Sequence, residues 1–185
     1  MGATLAASPR ALLARRLAGI GVGALAVAAA AQVAVPVPFS PVPMTLQPLA
    51  VLAVGGVLGS AGGVAALATY LALGMLGLPV FAGGSSGALH LIGPTGGYLL
   101  AFPLAAGLTG ALTAGRPGVL RTLGACALGM VVIHAGGVAQ LALLGGDASA
   151  AFRVGFVPFL TGDLLKVGLA AAVILGLRPR TRRVN

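Results

Sequence analysis

Six apolar blocks divide the chain, separated by short intervals rich in glycine, proline or arginine. The first starts at Leu17 and runs for about 19 residues, long enough to cross a bilayer. The second (46–58) is short, and a Gly-Ser-Ala-Gly-Gly run at 59–63 joins it to the third (64–78), a pattern that predicts a tight helical hairpin. The fourth (98–114), fifth (119–144) and sixth (156–177) each read as a transmembrane helix, with GGDASAAFR linking the last two. Two intervals break the helical pattern. Residues 35–47 carry Pro36, Pro38, Pro41 and Pro43, and alternate prolines forbid a helix and favour extended chain. Residues 79–97 are glycine-rich and again contain proline. Non-helical backbone at membrane depth must line a cavity or lie in the interface, so both intervals are expected to cap one face of the bundle. The predicted fold is an all-α membrane protein in which residues 1–185 form a single domain of six transmembrane helices.

Charge placement orients this bundle. With six crossings both termini share a side, and that side collects Arg10, Arg15, Arg16, Arg116, Arg121, Arg178, Arg180, Arg182 and Arg183, against Arg153 alone opposite. The positive-inside rule makes the termini cytoplasmic and turns both irregular loops outward. The first block also has the basic start and the Ala-Gln-Val-Ala stretch of a cleavable signal peptide; retention as the first span is the preferred reading. Composition agrees with the membrane assignment: 58% of residues are hydrophobic and 7% charged, too little polar surface for a soluble globule. The net charge of +9 raises the question of nucleic acid, but the arginines sit at span ends without interleaved aromatics, so no nucleic-acid partner is expected.

Against this background, Asp163 and Lys166 stand out inside the sixth block. An ionised side chain at mid-bilayer costs roughly 2.5 to 3.5 kcal/mol on insertion scales and usually faces a protein interior, a cavity or a ligand. At i, i+3 the two lie about 60° apart around the helix and about 4.5 Å apart along it, so they point into one small volume. Either they merely neutralise each other, or they form a binding site in the outer half of the bilayer. The remaining polar inventory excludes much chemistry. The chain holds two aspartates, no glutamate, two histidines and one lysine, so no carboxylate pair is available for acid and base work and no catalytic residue is assigned. His90, His134, Asp147, Asp163 and Cys126 lie in different segments without ligand spacing, and no metal site is predicted. No phosphate-binding Gly-rich loop with lysine exists, so the chain has no means of hydrolysing ATP itself. Cys126 in an apolar block reads as a packing residue.

Around the pair, Thr45 and Gln47 end the proline-rich interval, where they either cap the next helix or reach a ligand. Phe39 in the same interval joins the substrate-binding set. Tyr98, with Phe102 one turn below, offers an aromatic wall or an interfacial anchor. His90 sits among the glycines of the second loop, and His134 and Gln140 read as interhelical hydrogen-bonding residues. In the first span Ala24 and Ala28 make a small-x-x-x-small face offset from Gly19 and Gly23, suited to close helix packing.

Four stretches in order, PVPFSPVPMTLQ, LGLPVFAGG, GPTGGYLLAF and GDLLK, resemble the BioY family, the biotin-specific membrane subunit of energy-coupling factor transporters. The resemblance covers nearly the whole chain. It implies a six-helix vitamin-capture subunit, not an enzyme and without a cofactor of its own, in a bacterial or archaeal cell membrane. It would work with a transmembrane coupling subunit and paired ATPases, or in some members alone. The family's intramembrane acid and base map onto Asp163 and Lys166, and its coupling-subunit face on the first helix maps onto Ala24 and Ala28. Where family members often keep a stronger cation near the second loop, this chain offers His90. Chemistry agrees with that ligand: a cyclic urea presents N–H donors and a carbonyl acceptor, matching an acceptor-only carboxylate beside a donor-only ammonium. A carboxylate end would then point away from Asp163, toward His90, Ser85, Ser86 or loop N–H groups. The competing readings are a proton-linked carrier or channel relaying protons through Asp163, Lys166 and His134, and a capture subunit for a different vitamin.

Overall fold

The computed structural model describes residues 8–115 and 117–177. Helix α1 spans Pro9–Gln32, with Ser8 as N-cap accepting from the Ala11 N–H and Pro9 pre-set for the first turn. It therefore begins eight residues before the apolar block (17 − 9), and Arg10, Arg15 and Arg16 ride on its exposed first turns. Arg116, Arg178, Arg180, Arg182 and Arg183, which entered the charge count above, lie outside the described residues.

The proline-rich interval is a strap tied at its base. Strands β1 (Ala34–Val35) and β2 (Met44–Thr45) pair antiparallel, Ala34 opposite Thr45. Between them the Ser40 N–H donates to Val37 C=O across Pro38 and Phe39, and Phe39 has φ +66°. Proline followed by positive φ is the signature of a type II turn, with a phenylalanine where glycine is usual.

Helix α2 (Gln47–Met75) is two limbs joined at Gly59, whose φ of +77° and ψ of 175° break the helix where only glycine is at ease. Gly63 packs on the Cα of Gly55 so tightly that Gly63 has no room for a side chain, and Gln47 at one end bonds to Tyr70 near the other. The limbs thus fold back on each other as the glycine run predicts. After α2 come two short 3-10 turns, Ala82–Gly84 and Ala88–Leu91, within the glycine-rich loop. Helices α3 (Gly96–Leu112) and α4 (Val119–Gly145) follow.

The expected linker GGDASAAFR is instead helix α5 (Ala148–Gly155). Gly146 closes α4 in the left-handed conformation, and Asp147 caps α5 by accepting from the Ser149 and Ala150 N–H groups. A 3-10 turn at Val157–Phe159 then leads into α6 (Leu160–Leu177), so the last helix starts four residues later than its apolar block (160 − 156).

The main core gathers Val27, Val51, Leu67, Tyr70, Phe81, Phe102 and Ala105 between α1, α2, α3 and the second loop. A second cluster of Leu52, Cys126, Met130, Ala170 and Ile174 locks α6 against α2 and α4. Among the described residues four segments are long and apolar enough to cross a membrane: Pro9–Gln32, Gln47–Met75, Val119–Gly145 and Ala148–Leu177, with the shorter apolar helix Gly96–Leu112 beside them. This is a multi-pass membrane protein of almost entirely helical architecture.

Candidate functional site

A cavity of about 500 Å³ opens between α3, α4 and α6 and is roofed by the strap and the glycine-rich loop. That volume lies within the range of small-molecule sites. Its charged wall is the predicted pair. Asp163 and Lys166 are each 5% exposed, and Lys166 Nζ donates to Asp163 Oδ1 at 3.0 Å. Both line the cavity because α6 starts just beyond the turn at Phe159, which aims its first two turns at the space beneath the strap. The pair is joined by His134 from α4, whose Nε2 lies 2.6 Å from Asp163 Oδ2. This is the interhelical role read for His134; spacing alone does not name the partner, since the two residues are 29 apart and meet only when α4 and α6 pack.

The aromatic wall is also present. Tyr98 and Phe102 are buried on the cavity side of α3. The Tyr98 hydroxyl donates to Gly155 C=O at 2.6 Å, and its ring meets His134 edge-on with centroids 5.9 Å apart. Gly137 makes this position available: a side chain there would run into the Tyr98 ring.

Under the strap, Thr45 and Gln47 both line the cavity, yet their polar groups are engaged with the protein. Thr45 Oγ1 accepts from the Gln47 N–H at 3.2 Å and donates to Gln47 Oε1 at 3.2 Å. The Gln47 amide donates to Tyr70 OH at 2.6 Å, and Tyr70 in turn donates to Val80 C=O at 3.2 Å. Thr45 thus satisfies the first N–H of α2 from the residue before its N-cap, Leu46, while Gln47 bonds inward, and both keep their cavity positions. Phe39 is elsewhere: it is 97% exposed and absent from the cavity wall, because the type II turn throws it outward at the tip of the strap. Pro41, Val42 and Pro43 supply the strap's inner face instead.

The second loop is more tightly held than its glycines imply. Phe81, 1% exposed, plugs into the core against Tyr70 and the bare face of Gly74. At the other end Gln140 of α4 donates to Leu91 C=O at 2.9 Å and to Gly93 C=O at 2.6 Å. His90 lies on the cavity wall between these anchors, its ring 5.7 Å from that of Phe81. Ser85 lines the cavity too, donating to Ala82 C=O at 2.7 Å, whereas Ser86 does not line it.

On α1 the two alanines of the small-x-x-x-small face differ in burial. Ala24 is 2% exposed and belongs to the main core, and Ala28 packs against the same cluster. Ala24 thus faces into the protein, while Ala28 is half-buried at the edge of the same face. Outward lie Val22 and Leu25, 67% and 65% exposed, with Ala26. Beside them runs an apolar groove of about 340 Å³ lined by Gly19, Val22, Gly23, Ala26, Val57 and Val173.

Residues 4–183 match the model of the BioY family. The chain belongs to the BioY family. Among its relatives, the biotin transporter BioY of Thermotoga maritima is 44% identical over 138 residues, 75% of this chain and 82% of that protein. The probable biotin transporter BioY of Pyrococcus horikoshii is 43% identical over 138 residues, 75% of this chain and 80% of that one. The biotin transporter BioY of Rhizobium etli is 36% identical over 151 residues, covering 75% and 81%. In structure, this BioY family member superposes on the S-component for biotin from an ECF-type ABC transporter, solved at 2.1 Å, with a TM-score of 0.84 and 26% identity. The match covers 94% of this chain and 95% of that one.

Proposed function

We propose that this protein captures biotin from outside the cell, as the substrate-binding subunit of an energy-coupling factor transporter. The observation that carries the reading is a buried carboxylate and ammonium, 3.0 Å apart, on the wall of a cavity of about 500 Å³. Asp163 accepts a ureido N–H, Lys166 donates to the ureido carbonyl, and Tyr98 and Phe102 cover the apolar rings. The ligand's carboxylate then points up into the loops, where His90 and Ser85 stand on the cavity wall. Kinship with named biotin transporters supports the choice of vitamin over a proton-linked carrier or another vitamin. The family is one of transport subunits, not enzymes.

Each limb of α2 counts as a crossing in this reading, which with α1, α3, α4 and α6 gives six. Both termini then lie in the cytoplasm of a bacterial or archaeal cell, and the strap and second loop face outward. ATP is hydrolysed by partner ATPases that act through a transmembrane coupling subunit, since this chain offers no phosphate-binding loop. The groove beside Val22 and Ala26, rather than the inward face of Ala24, receives that subunit. Ala26→Phe is expected to reduce co-purification of the coupling subunit while leaving thermal stability and biotin binding unchanged. Ala24→Leu instead overpacks the core and lowers stability by about 1 to 3 kcal/mol. The opposite pattern would return the interface to Ala24.

Equilibrium dialysis of labelled biotin against the purified full chain in detergent tests the assignment. Saturable binding at one site per chain is expected; absence of saturable binding overturns it.

A further inference from the structure

His134 meets two acceptors. Its Nε2 lies 2.6 Å from Asp163 Oδ2 and its Nδ1 lies 3.3 Å from Gly155 C=O. A neutral imidazole has one N–H and one lone pair, so either tautomer directs a lone pair at an oxygen if Asp163 is ionised. The imidazolium satisfies both contacts. The groups facing it from each packed element agree: Asp163 and Lys166 from α6, and Tyr98 from α3, which donates to the same Gly155 carbonyl. The rings of Phe156 and Phe159 close the remaining sides, with centroids 5.0 and 6.0 Å away. Arg153 on α5 is exposed and bonded to Ser149. An imidazolium and an ammonium around one carboxylate leave the cluster with a net charge of about +1, the complement of a monoanionic ligand in the same cavity.

We propose that His134 is a positioning residue for the ureido ring: as the imidazolium it pins the Oδ2 edge of Asp163 and leaves the Oδ1 edge, shared with Lys166, to face the ligand. This rests on reading the cavity as a biotin site. A carboxylate has about four lone-pair positions, so Oδ1 keeps one for a ligand N–H after Lys166 has bonded. Loss of the imidazolium proton leaves Nδ1 facing Gly155 C=O without a hydrogen, which frees the ring to turn and Asp163 to swing with it. Affinity therefore falls as pH rises.

The test measures biotin Kd for the purified full chain between about pH 6 and 9, above the range in which a carboxylic acid ligand titrates. Wild type, His134→Gln and His134→Ala are compared. Wild-type affinity is expected to fall about tenfold across the range, the size of one charge-assisted hydrogen bond. His134→Gln keeps an N–H donor for Asp163 but cannot titrate, so it is expected to bind within about threefold of wild type at the acid end and to show a flat profile. His134→Ala loses about tenfold throughout. Ring 15N shifts report the protonation state without relying on the alanine variant; with two histidines in the chain, the spectrum of His134→Gln assigns the signal by subtraction. Both ring nitrogens of His134 are expected to be protonated under the conditions of tightest biotin binding. Parallel pH slopes in wild type and His134→Gln, or an unprotonated ring nitrogen under the conditions of tightest binding, overturn the proposal while the biotin site stands. No biotin binding by wild type overturns the pocket reading itself.

Discussion

The two ends of the cavity are built differently. At the charged end Asp163, Lys166 and His134 project from helices, each about 5% exposed, and every polar atom there has a partner before any ligand arrives. At the loop end His90 and Ser85 are half-buried on backbone that runs through positive φ at Gly83, Gly84 and Gly87. The first arrangement fixes geometry, so recognition there costs little reordering. The second is anchored at Phe81 and at Gln140, and the glycines between those anchors leave it more backbone freedom than a helix has. A ligand with a rigid ring head and a flexible acid tail suits this division.

The largest effect is expected from Asp163→Asn. It replaces two anionic acceptor oxygens by one neutral acceptor and a donor, and it leaves Lys166 without its counter-charge. Biotin affinity is expected to drop about tenfold to hundredfold, from the 1.5 to 3 kcal/mol of charge-assisted hydrogen bonds. Equal affinity in the folded variant would take the charged end out of the site.

Next in size is Gly137→Ala, which places a methyl group against the Tyr98 ring. Overpacking of this kind costs about 1 to 3 kcal/mol. A lower thermal midpoint together with weaker biotin binding is expected; an unaltered midpoint would show that the aromatic wall yields freely.

A smaller effect is expected from the lid. Hydrogen exchange should slow across 83–90 on biotin addition, more than in α2, while 91–93 change little because Gln140 already holds those carbonyls. Gln140→Leu should extend the ligand-dependent region to 91–93, with affinity lowered by less than about tenfold, the worth of neutral hydrogen bonds. Level protection across the whole loop, with biotin demonstrably bound, would make it a fixed wall and shift any gating to the strap.

The smallest effect belongs to Phe39→Gly. The turn keeps its positive φ more easily with glycine, and no cavity contact is lost, so biotin affinity is expected to be unchanged within about twofold. A marked loss would mean that Phe39 folds inward over bound ligand.

These regions also differ in how far the sequence revealed them. Asp163 and Lys166 were legible because charge in an apolar run is costly and their spacing fixes their direction. The strap and the fold-back of α2 were legible from proline and glycine, which act through local backbone geometry. His134 was legible as an interhelical hydrogen-bonding residue, but its partner was not fixed by spacing, because the contact with Asp163 depends on α4 packing against α6. Asp147 did carry a local signal for α5, an N-cap residue followed by helix formers, but it reads equally as a loop between two long spans. The burial of Ala24 was not legible for a different reason: from Leu17 onward α1 is apolar on every side, so periodicity does not separate its inner face from its outer one. Phe39 sits in a motif whose later members, Pro41, Val42, Pro43, Thr45 and Gln47, line the cavity, and the turn at its own position carries it away.

The account rests on a ureido ring lodging at the charged end, and a competition experiment tests that most directly. Labelled biotin bound to the purified full chain is challenged with unlabelled biotin or with lipoate, which carries the same kind of acid tail on a ring without the urea. Biotin is expected to compete fully, and lipoate to need about a hundredfold more or greater, because it offers no N–H to Asp163 and no carbonyl to Lys166. Equal competition by the two would contradict the account, since recognition would then lie in the tail and the loops rather than at Asp163 and Lys166.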